Sequence, residues 1–228
     1  CMIQGGYRSF RNWVFSTLET PRKYLIISGH TGTGKTEVLH RLREKGECVL
    51  DLEGLANHKG SALGGLGFPP QPKNEHFENL IATTLREFGT NQPIFVENES
   101  RMIGQCAVPM ALWIGMQSAP SIELVVDVET RIQRLLKEYA HFPLENLIEQ
   151  TQKLRKRLGG QHEQAAIDAL NQGDFKRWVE ILLVYYDKSY THFLEKHQIQ
   201  SEKLSWDWNQ IDSALLSLIK VSKHGIEK

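Results

Sequence analysis

A chain of 228 residues can bury a substantial core, and its length predicts one α/β domain with an extension. Lys and Arg together number 27, as do Asp and Glu, so the overall charge neither favours nor excludes nucleic acid, which would need a local basic patch. Three unevenly spaced cysteines argue against a disulfide framework or a zinc site, and the lack of a membrane-spanning apolar run or signal peptide predicts a cytoplasmic protein without a membrane partner.

The first twenty residues predict a connector. The chain begins in what resembles the end of a strand, Gly5 and Gly6 predict a turn, and apolar residues from Phe10 to Leu18 then recur at helical spacing. We interpret residues 1–20 as a connector from an upstream domain, with a frayed terminus as the alternative.

Residues 24–36 carry the strongest motif in the chain. Tyr24–Ser28 predicts a buried strand, and residues 29–36 match the phosphate-binding loop G-x-x-x-x-G-K-[ST]. Lys35 would contact the phosphates and the Thr36 hydroxyl would hold Mg²⁺, so the chain is predicted to bind a di- or triphosphate. The predicted binding residues are Gly29, Thr31, Gly32, Thr33, Gly34, Lys35 and Thr36.

A second predicted strand and a long loop follow the phosphate loop. The strand, residues 47–52, delivers Asp51 and Glu53 to the edge where parallel sheets bind ligands, and we predict that both contact substrate. Residues 54–74 lack periodicity and are interrupted by Gly and Pro, so they predict a loop that is either functional or disordered. We favour a functional loop because it follows a strand end on the phosphate side. Its polar candidates for substrate binding are His58, Lys59 and Ser61.

A third predicted strand, residues 93–97, is apolar and ends in Glu97. This is the layout of the acidic strand that positions Mg²⁺ or water beside a phosphate loop, although a strand-end acid without a role is the alternative. We predict that Glu97 and Thr36 bind Mg²⁺. The following polar residues are predicted to contact substrate: Glu99, Ser100 and Arg101. The predicted catalytic residues are Lys35, Glu97 and Arg101.

The remaining pattern alternates strands with helices. A fourth strand is predicted at residues 122–127, with Arg131 and Arg134 on the polar side of the next helix, and a fifth at residues 199–206. This alternation predicts a P-loop NTPase-like three-layer αβα fold with a mainly parallel sheet of about five strands and a helical C-terminal extension. The predicted parts are a core at 21–142, the helical extension at 143–198, and a closing strand and helix at 199–228.

Two features of the predicted extension have alternative interpretations. The aromatic stripe from Phe175 to Phe193 favours a buried helix face over a stacking platform. A basic cluster is either a solvated helix face or a patch that contacts nucleic-acid phosphates, and the sequence leaves both open. Its members are Lys153, Arg155, Lys156 and Arg157.

Beyond the phosphate loop, three stretches resemble a known family: residues 51–62, residues 97–104, and residues 156–160 with 185–187 downstream. Together they resemble the C-terminal half of tRNA 2-selenouridine synthase over nearly the whole chain. The resemblance implies that tRNA is the substrate and that selenium replaces the sulfur of wobble 2-thiouridine. It further implies an S-geranylated intermediate, with geranyl diphosphate and selenophosphate as co-substrates.

The same resemblance implies a partner. Family members usually begin with a rhodanese-like domain that carries a catalytic cysteine, and residues 3–7 resemble the tail of that domain. Cys1 lies too near this tail to be the catalytic cysteine, so we expect a rhodanese-like domain or subunit to be supplied separately. The family tends to have an acid where Asn98 stands, so Glu97 or Glu99 would carry the metal role.

Two other functions remain open from the sequence. The chain could be an ATP-dependent small-molecule kinase, or a tRNA-binding module gated by ATP or GTP without chemistry of its own. Kinases usually close an arginine-rich lid over the nucleotide, and residues 54–74 contain no arginine, which disfavours the kinase.

Overall fold

The computed structural model describes residues 4–89, 91–197, 201–208 and 211–224. Five parallel strands form a central sheet in the order β2-β3-β1-β6-β7, and β4 and β5 form a separate antiparallel hairpin. The strands are β1 (Tyr24–Ser28), β2 (Cys48–Leu50), β3 (Ile94–Glu97), β4 (Met102–Ile103), β5 (Cys106–Ala107), β6 (Ser121–Val125) and β7 (Ser201–Ser205).

Helices cover both faces of the sheet and build an extension beside it. They are α1 (Gly6–Glu19), α2 (Lys35–Glu44), α3 (Leu52–Ala56), α4 (Asn74–Arg86), α5 (Met110–Gln117), α6 (Val128–Tyr139), α7 (Leu144–Lys153), α8 (Arg155–Leu158), α9 (Gly160–Asn171), α10 (Phe175–His197) and α11 (Ile211–His224). No helix in the described ranges is long and apolar enough to cross a membrane.

The alternation of side chains along β1 explains the three layers. Successive residues of a strand point to opposite faces, so Ile26 packs with α1, α4 and α5, whereas Ile27 packs with α2 and α11. Both faces of β1 are therefore buried, as its unbroken apolar sequence predicts. The predicted P-loop NTPase-like fold with five parallel strands is confirmed.

The extension has its own core around Trp178 of α10. This side chain is fully buried, and its indole Nε1 donates a hydrogen bond to Thr151 Oγ1 at 3.0 Å. Asp174 caps the helix by accepting a hydrogen bond from the Arg177 amide at 2.9 Å. The described part of the aromatic stripe belongs to this core, which confirms the interpretation as a buried face.

The structure departs from the sequence predictions in two places. Arg131, predicted on a polar helix face, is only 3% exposed. The predicted loop after β2 begins inside the short helix α3, which is too brief to show a periodic pattern. Helix α1 of the predicted connector packs on the domain through the buried Val14 and Leu18, and its role as a connector stays a prediction. Residues 1–3, 199 and 200 lie outside the described ranges.

Candidate functional site

The loop between β1 and α2 has the backbone geometry of an anion cradle. Gly32 and Gly34 adopt φ values of 84° and 87°, which side chains with a Cβ rarely reach. A Cβ on Gly32 would also lie 3.0 Å from the Arg131 carbonyl oxygen. Lys35 begins α2, so its ammonium and the helix dipole act on the same place. This geometry fits the predicted phosphate ligand.

Three buried carboxylates face this loop and form the acidic cluster, which consists of Glu53, Glu97 and Glu99. Each offers one oxygen, and these oxygens all lie within 4.8 Å of one another. Glu97 Oε1 is 3.5 Å from Lys35 Nζ, and the Thr36 hydroxyl lies 3.3 Å and 3.2 Å from Glu53 and Glu97 oxygens. The cluster therefore joins the end of β3 to the phosphate loop.

The acidic cluster concentrates negative charge away from water. Burial, followed by the charge of Glu97, raises the pKa of Glu99 to about 8. Burial also raises the pKa of Glu53 and of Glu97, and Lys35 opposes the shift at both. A set of oxygen ligands with excess negative charge suits a hard divalent cation such as Mg²⁺. The donor set therefore fits the predicted metal, with Glu53 added to Thr36 and Glu97.

A cavity of about 600 Å³ lies over the phosphate loop and the acidic cluster. Its floor is polar and charged, being formed by the glycines of the loop, Lys35, Thr36 and the three carboxylates. One wall is largely apolar and aromatic, and we call it the apolar wall. It consists of Phe68, Leu135, Tyr139, Tyr186 and Tyr190. The cavity can therefore hold a ligand with a phosphate end and an apolar body.

Helices α6 and α10 hold the phosphate loop through a clamp of three side chains, His30, Arg131 and Asp187. Arg131 Nη1 donates to Asp187 at 3.1 Å, and Arg131 Nε donates to the Thr31 carbonyl at 2.8 Å. Asp187 also lies 3.1 Å from His30 Nδ1. Burial tends to raise the pKa of Asp187, but hydrogen bonds from His30 and Arg131 outweigh it and lower the pKa. The clamp fixes the first half of the loop.

The predicted residues of the loop after β2 have different placements. Lys59 and Ser61 line the cavity, and Lys59 pairs with Glu138. His58 is not among the described lining residues, and its Nδ1 is buried without a hydrogen-bond partner in the described chain. Burial lowers its pKa.

Asp51 is placed as a helix cap. Its Oδ1 accepts a hydrogen bond from the Gly54 amide at 2.8 Å, and its Oδ2 lies 3.1 Å from His40 Nε2. Asp51 also lines the edge of the cavity, but both its oxygens have protein partners. Its carboxylate therefore stabilises the turn that carries Glu53 into the acidic cluster.

Arg101 and the basic cluster, which are predicted to contact tRNA, are absent from the described lining of the cavity. Ser100 lines it, whereas Arg101 is exposed and is absent from its described lining. The basic cluster is also exposed, and two of its members have acidic neighbours, Lys153 with Glu149 and Arg155 with Glu163. The other two, Lys156 and Arg157, are exposed on α8. Roles for these residues in binding tRNA stay predictions.

The clamp was missed because its members are far apart in sequence. His30 and Asp187 are separated by 157 positions, and no local pattern shows that they meet. The available signal was the stretch 185–187, which belongs to the family resemblance and contains Asp187. Arg131 was recognised only as a polar helix residue.

The first strand, the phosphate loop and the acidic strand end define a protein of the P-loop NTPase-like class. A family model described as the tRNA 2-selenouridine synthase AAA domain matches residues 22–217. The chain belongs to this family, which confirms the resemblance.

Curated relatives carry the same family name. The tRNA 2-selenouridine synthase of Shewanella frigidimarina is 37% identical in an alignment of length 230. This alignment covers 86% of this chain and 62% of the relative. That of Pseudomonas fluorescens is 37% identical over 222 residues, covering 82% of this chain and 59% of the relative. The chain therefore spans less than two thirds of the length of these relatives.

Solved structures resemble the chain less closely. Shikimate kinase from Bacteroides thetaiotaomicron has a TM-score of 0.39 and 17% identity, over 88% of this chain and 98% of the kinase. A gluconokinase from Sinorhizobium meliloti has a TM-score of 0.30 and 14% identity, over 75% of this chain and 98% of that protein. These similarities carry no argument about function.

The acidic cluster yields a prediction about stability. Glu53→Gln removes a buried charge, so without metal it should raise the free energy of unfolding by about 1 kcal/mol or more at pH 8. Because the folded-state pKa of Glu53 is raised, the gain should shrink as the pH falls and vanish near about pH 4, where the unfolded carboxyl is also protonated. Urea denaturation across this pH range measures the change.

The same variant should respond less to metal. Mg²⁺ should raise the melting temperature of the wild type more than that of Glu53→Gln. Glu87→Gln, at an exposed position, is the matched control and should behave as the wild type does. A Glu53→Gln variant that is less stable at pH 8, or equally responsive to Mg²⁺, would contradict the metal-binding interpretation.

The clamp yields a second prediction. Asp187→Asn leaves the buried Arg131 without its counter-charge, so the free energy of unfolding should fall by about 1–3 kcal/mol. Because Arg131 also holds the Thr31 carbonyl, affinity for inorganic diphosphate should fall at least about tenfold, as measured by calorimetry. The control is Asp168→Asn on the exposed face of α9. Unchanged diphosphate affinity in Asp187→Asn would limit the clamp to a stabilising role.

Proposed function

We propose that this chain is the phosphate-loop part of a tRNA 2-selenouridine synthase. Its reaction would transfer the geranyl group of geranyl diphosphate to the sulfur of wobble 2-thiouridine in tRNA, on the way to replacement of sulfur by selenium. Membership in the family and the names of its relatives support this assignment. The proposed enzyme is a transferase that acts on tRNA in the cytoplasm.

The observation that carries the proposal is the composition of the cavity. A phosphate loop and three carboxylates form its floor, and the apolar wall stands beside them. Geranyl diphosphate combines a charged end with a hydrocarbon chain, so its two parts match the two sides of the cavity. In this reaction the diphosphate is the leaving group, and no water has to attack phosphorus.

The transfer requires one bond to form and one to break. The thiocarbonyl sulfur of the base attacks the allylic carbon, the C–O bond to diphosphate breaks, and its electron pair leaves with the oxygen. The base loses its N3 proton to solvent as the C–S bond forms. Lys35 and the loop amides would stabilise the negative charge that accumulates on the departing diphosphate.

Mg²⁺ would be held by the Thr36 hydroxyl and the carboxylates of Glu53 and Glu97. When bound, it would supply positive charge that offsets the charge of the diphosphate oxygens. Glu99 belongs to the same cluster, and its pKa of about 8 favours the protonated carboxyl at neutral pH. The chain itself orients the diphosphate and keeps water from the reacting carbon.

Binding of tRNA would use local positive charge, because the chain as a whole is neutral. We assign the phosphate contacts to the basic cluster on α7 and α8 and place Arg101 near the modified base. Arg101 is exposed, lies four residues after the end of β3 at Glu97, and directly follows Ser100, which lines the cavity.

Replacement of sulfur by selenium would need a further component. The family resemblance places the cysteine for this exchange in a rhodanese-like domain, and the relatives are longer than the matched region. We propose that a rhodanese-like domain or subunit receives the geranylated tRNA and completes the exchange with selenophosphate.

The proposed transfer can be tested by mass spectrometry of nucleosides. The chain is mixed with 2-thiouridine tRNA, Mg²⁺ and geranyl diphosphate, and S-geranylated 2-thiouridine is the expected product. Lys35→Ala should reduce its formation about a hundredfold or more, because the variant loses a positive charge at the leaving group.

Lys45→Ala is the matched control, since Lys45 lies at the other end of α2 and pairs with Asp212. It should retain activity. A second arm replaces geranyl diphosphate with ATP. Absence of geranylated nucleoside with the wild type, or an ATP-dependent tRNA product, would overturn the proposed function.

A further inference from the structure

The side chains of Arg134 and Trp208 lie against Gly34 of the phosphate loop. At the Gly34 end, the Arg134 guanidinium stacks on the Trp208 ring, with Cζ 3.9 Å from the ring centroid. Arg134 also donates to Glu37 at 2.7 Å, and a Cβ on Gly34 would lie 2.2 Å from the Trp208 ring. A planar nucleobase could enter at this end only by breaking the stack. The structure therefore favours a ligand that extends from the phosphate loop along the apolar wall.

The other direction leads along the apolar wall into the core of the extension. A narrow apolar recess adjoins the cavity, and both are lined by Thr31, Ser61, Leu135, Tyr139 and Tyr186. The recess alone is lined by Leu63, Trp178, Val179, Leu182 and Leu183. Because Thr31 belongs to the phosphate loop, a chain attached to a bound phosphate would begin at the entrance of this path.

The far side of the recess is rigid. Trp178 is fully buried, and its hydrogen bond to Thr151 fixes the indole in one orientation. Leu182 and Leu183 are also buried and pack in the same cluster. A hydrocarbon chain that follows the apolar wall would therefore meet a fixed boundary at α10.

We propose that the recess residues on α10 set the longest hydrocarbon chain that a diphosphate ester bound along the apolar wall can carry. This inference deepens the proposed function and rests on it for the geranyl identity of the chain. The cavity volume of about 600 Å³ is within the range of small-molecule sites. The narrow recess would admit a longer chain only after its lining side chains are shortened.

Burial of a chain on this wall has a measurable consequence. Each CH₂ group moved from water to an apolar site raises affinity about fourfold. Geranyl diphosphate has five more carbons than dimethylallyl diphosphate, so even partial burial should make it at least about tenfold tighter. Without a site for the hydrocarbon chain, the two esters would bind with equal affinity.

Calorimetry with Mg²⁺ tests the inference without tRNA. The wild type is titrated with inorganic diphosphate, with dimethylallyl, geranyl and farnesyl diphosphates, and with ADP. Among the three esters, geranyl diphosphate should bind most tightly. ADP should bind at least about tenfold more weakly than geranyl diphosphate. Equal affinity of all the esters, or tighter binding of ADP, would overturn the inference.

Leu183→Ala then tests the boundary. It should raise the affinity for farnesyl relative to geranyl diphosphate about tenfold, while leaving inorganic diphosphate unchanged. Leu170→Ala is the matched control, since Leu170 is buried in the same cluster but does not line the recess. The milder Val179→Ala should shift the ratio in the same direction if Leu183→Ala does not fold. If the ratio of farnesyl to geranyl diphosphate affinity is unchanged in the folded recess variants, or shifts equally in Leu170→Ala, the recess does not limit the chain length.

These titrations separate the inference from the proposed function. If the wild type prefers geranyl diphosphate but modifies no tRNA, the binding site for the hydrocarbon chain stands and the proposed transfer reaction is wrong. If the wild type geranylates tRNA but binds all the esters with equal affinity, the transfer stands and the binding site for the hydrocarbon chain is wrong.

Discussion

The electrostatic balance between Lys35 and three buried carboxylates is the constraint on which the site depends. One ammonium group cannot neutralise Glu53, Glu97 and Glu99, and burial raises the pKa of each carboxyl instead. Such an arrangement is costly in a protein interior unless a cation or protons complete it. The cost is explained if the cluster serves a cation that joins it to a phosphate ligand.

The fold brings these charges together through the geometry of a parallel sheet. Because all five strands run in one direction, the ends of β1 and β3 and the turn after β2 meet at one edge. The phosphate loop, Glu97 and Glu53 come from these three places. Helices α6 and α10 add what the sheet cannot supply, since they provide Arg131 and Asp187 of the clamp and four of the five residues of the apolar wall. Phosphate binding thus depends on the edge of the sheet, and apolar binding depends mainly on these two helices.

The sequence predicted the parts of the site that depend on local patterns. The glycine loop and the acidic end of β3 are each visible within a few residues, and four of the five strands follow from short apolar runs, whereas β7 is mostly polar. Glu53 was assigned to substrate because the five-residue helix α3, which turns it towards Glu97, has no periodic signal. Arg131 was placed on a polar face because periodicity cannot show that Asp187 pairs with it across 56 positions. Pairings of this kind depend on the packing of α10, which only the folded chain reveals.

The central claim is that the acidic cluster and the phosphate loop form one site through a shared cation. Reciprocal calorimetry tests it most directly, with diphosphate titrated at zero and saturating Mg²⁺, and Mg²⁺ titrated with and without diphosphate. If the account is correct, each ligand should raise the affinity for the other by the same factor of at least about tenfold, because coupling free energy is reciprocal. Independent binding of Mg²⁺ and diphosphate would contradict it.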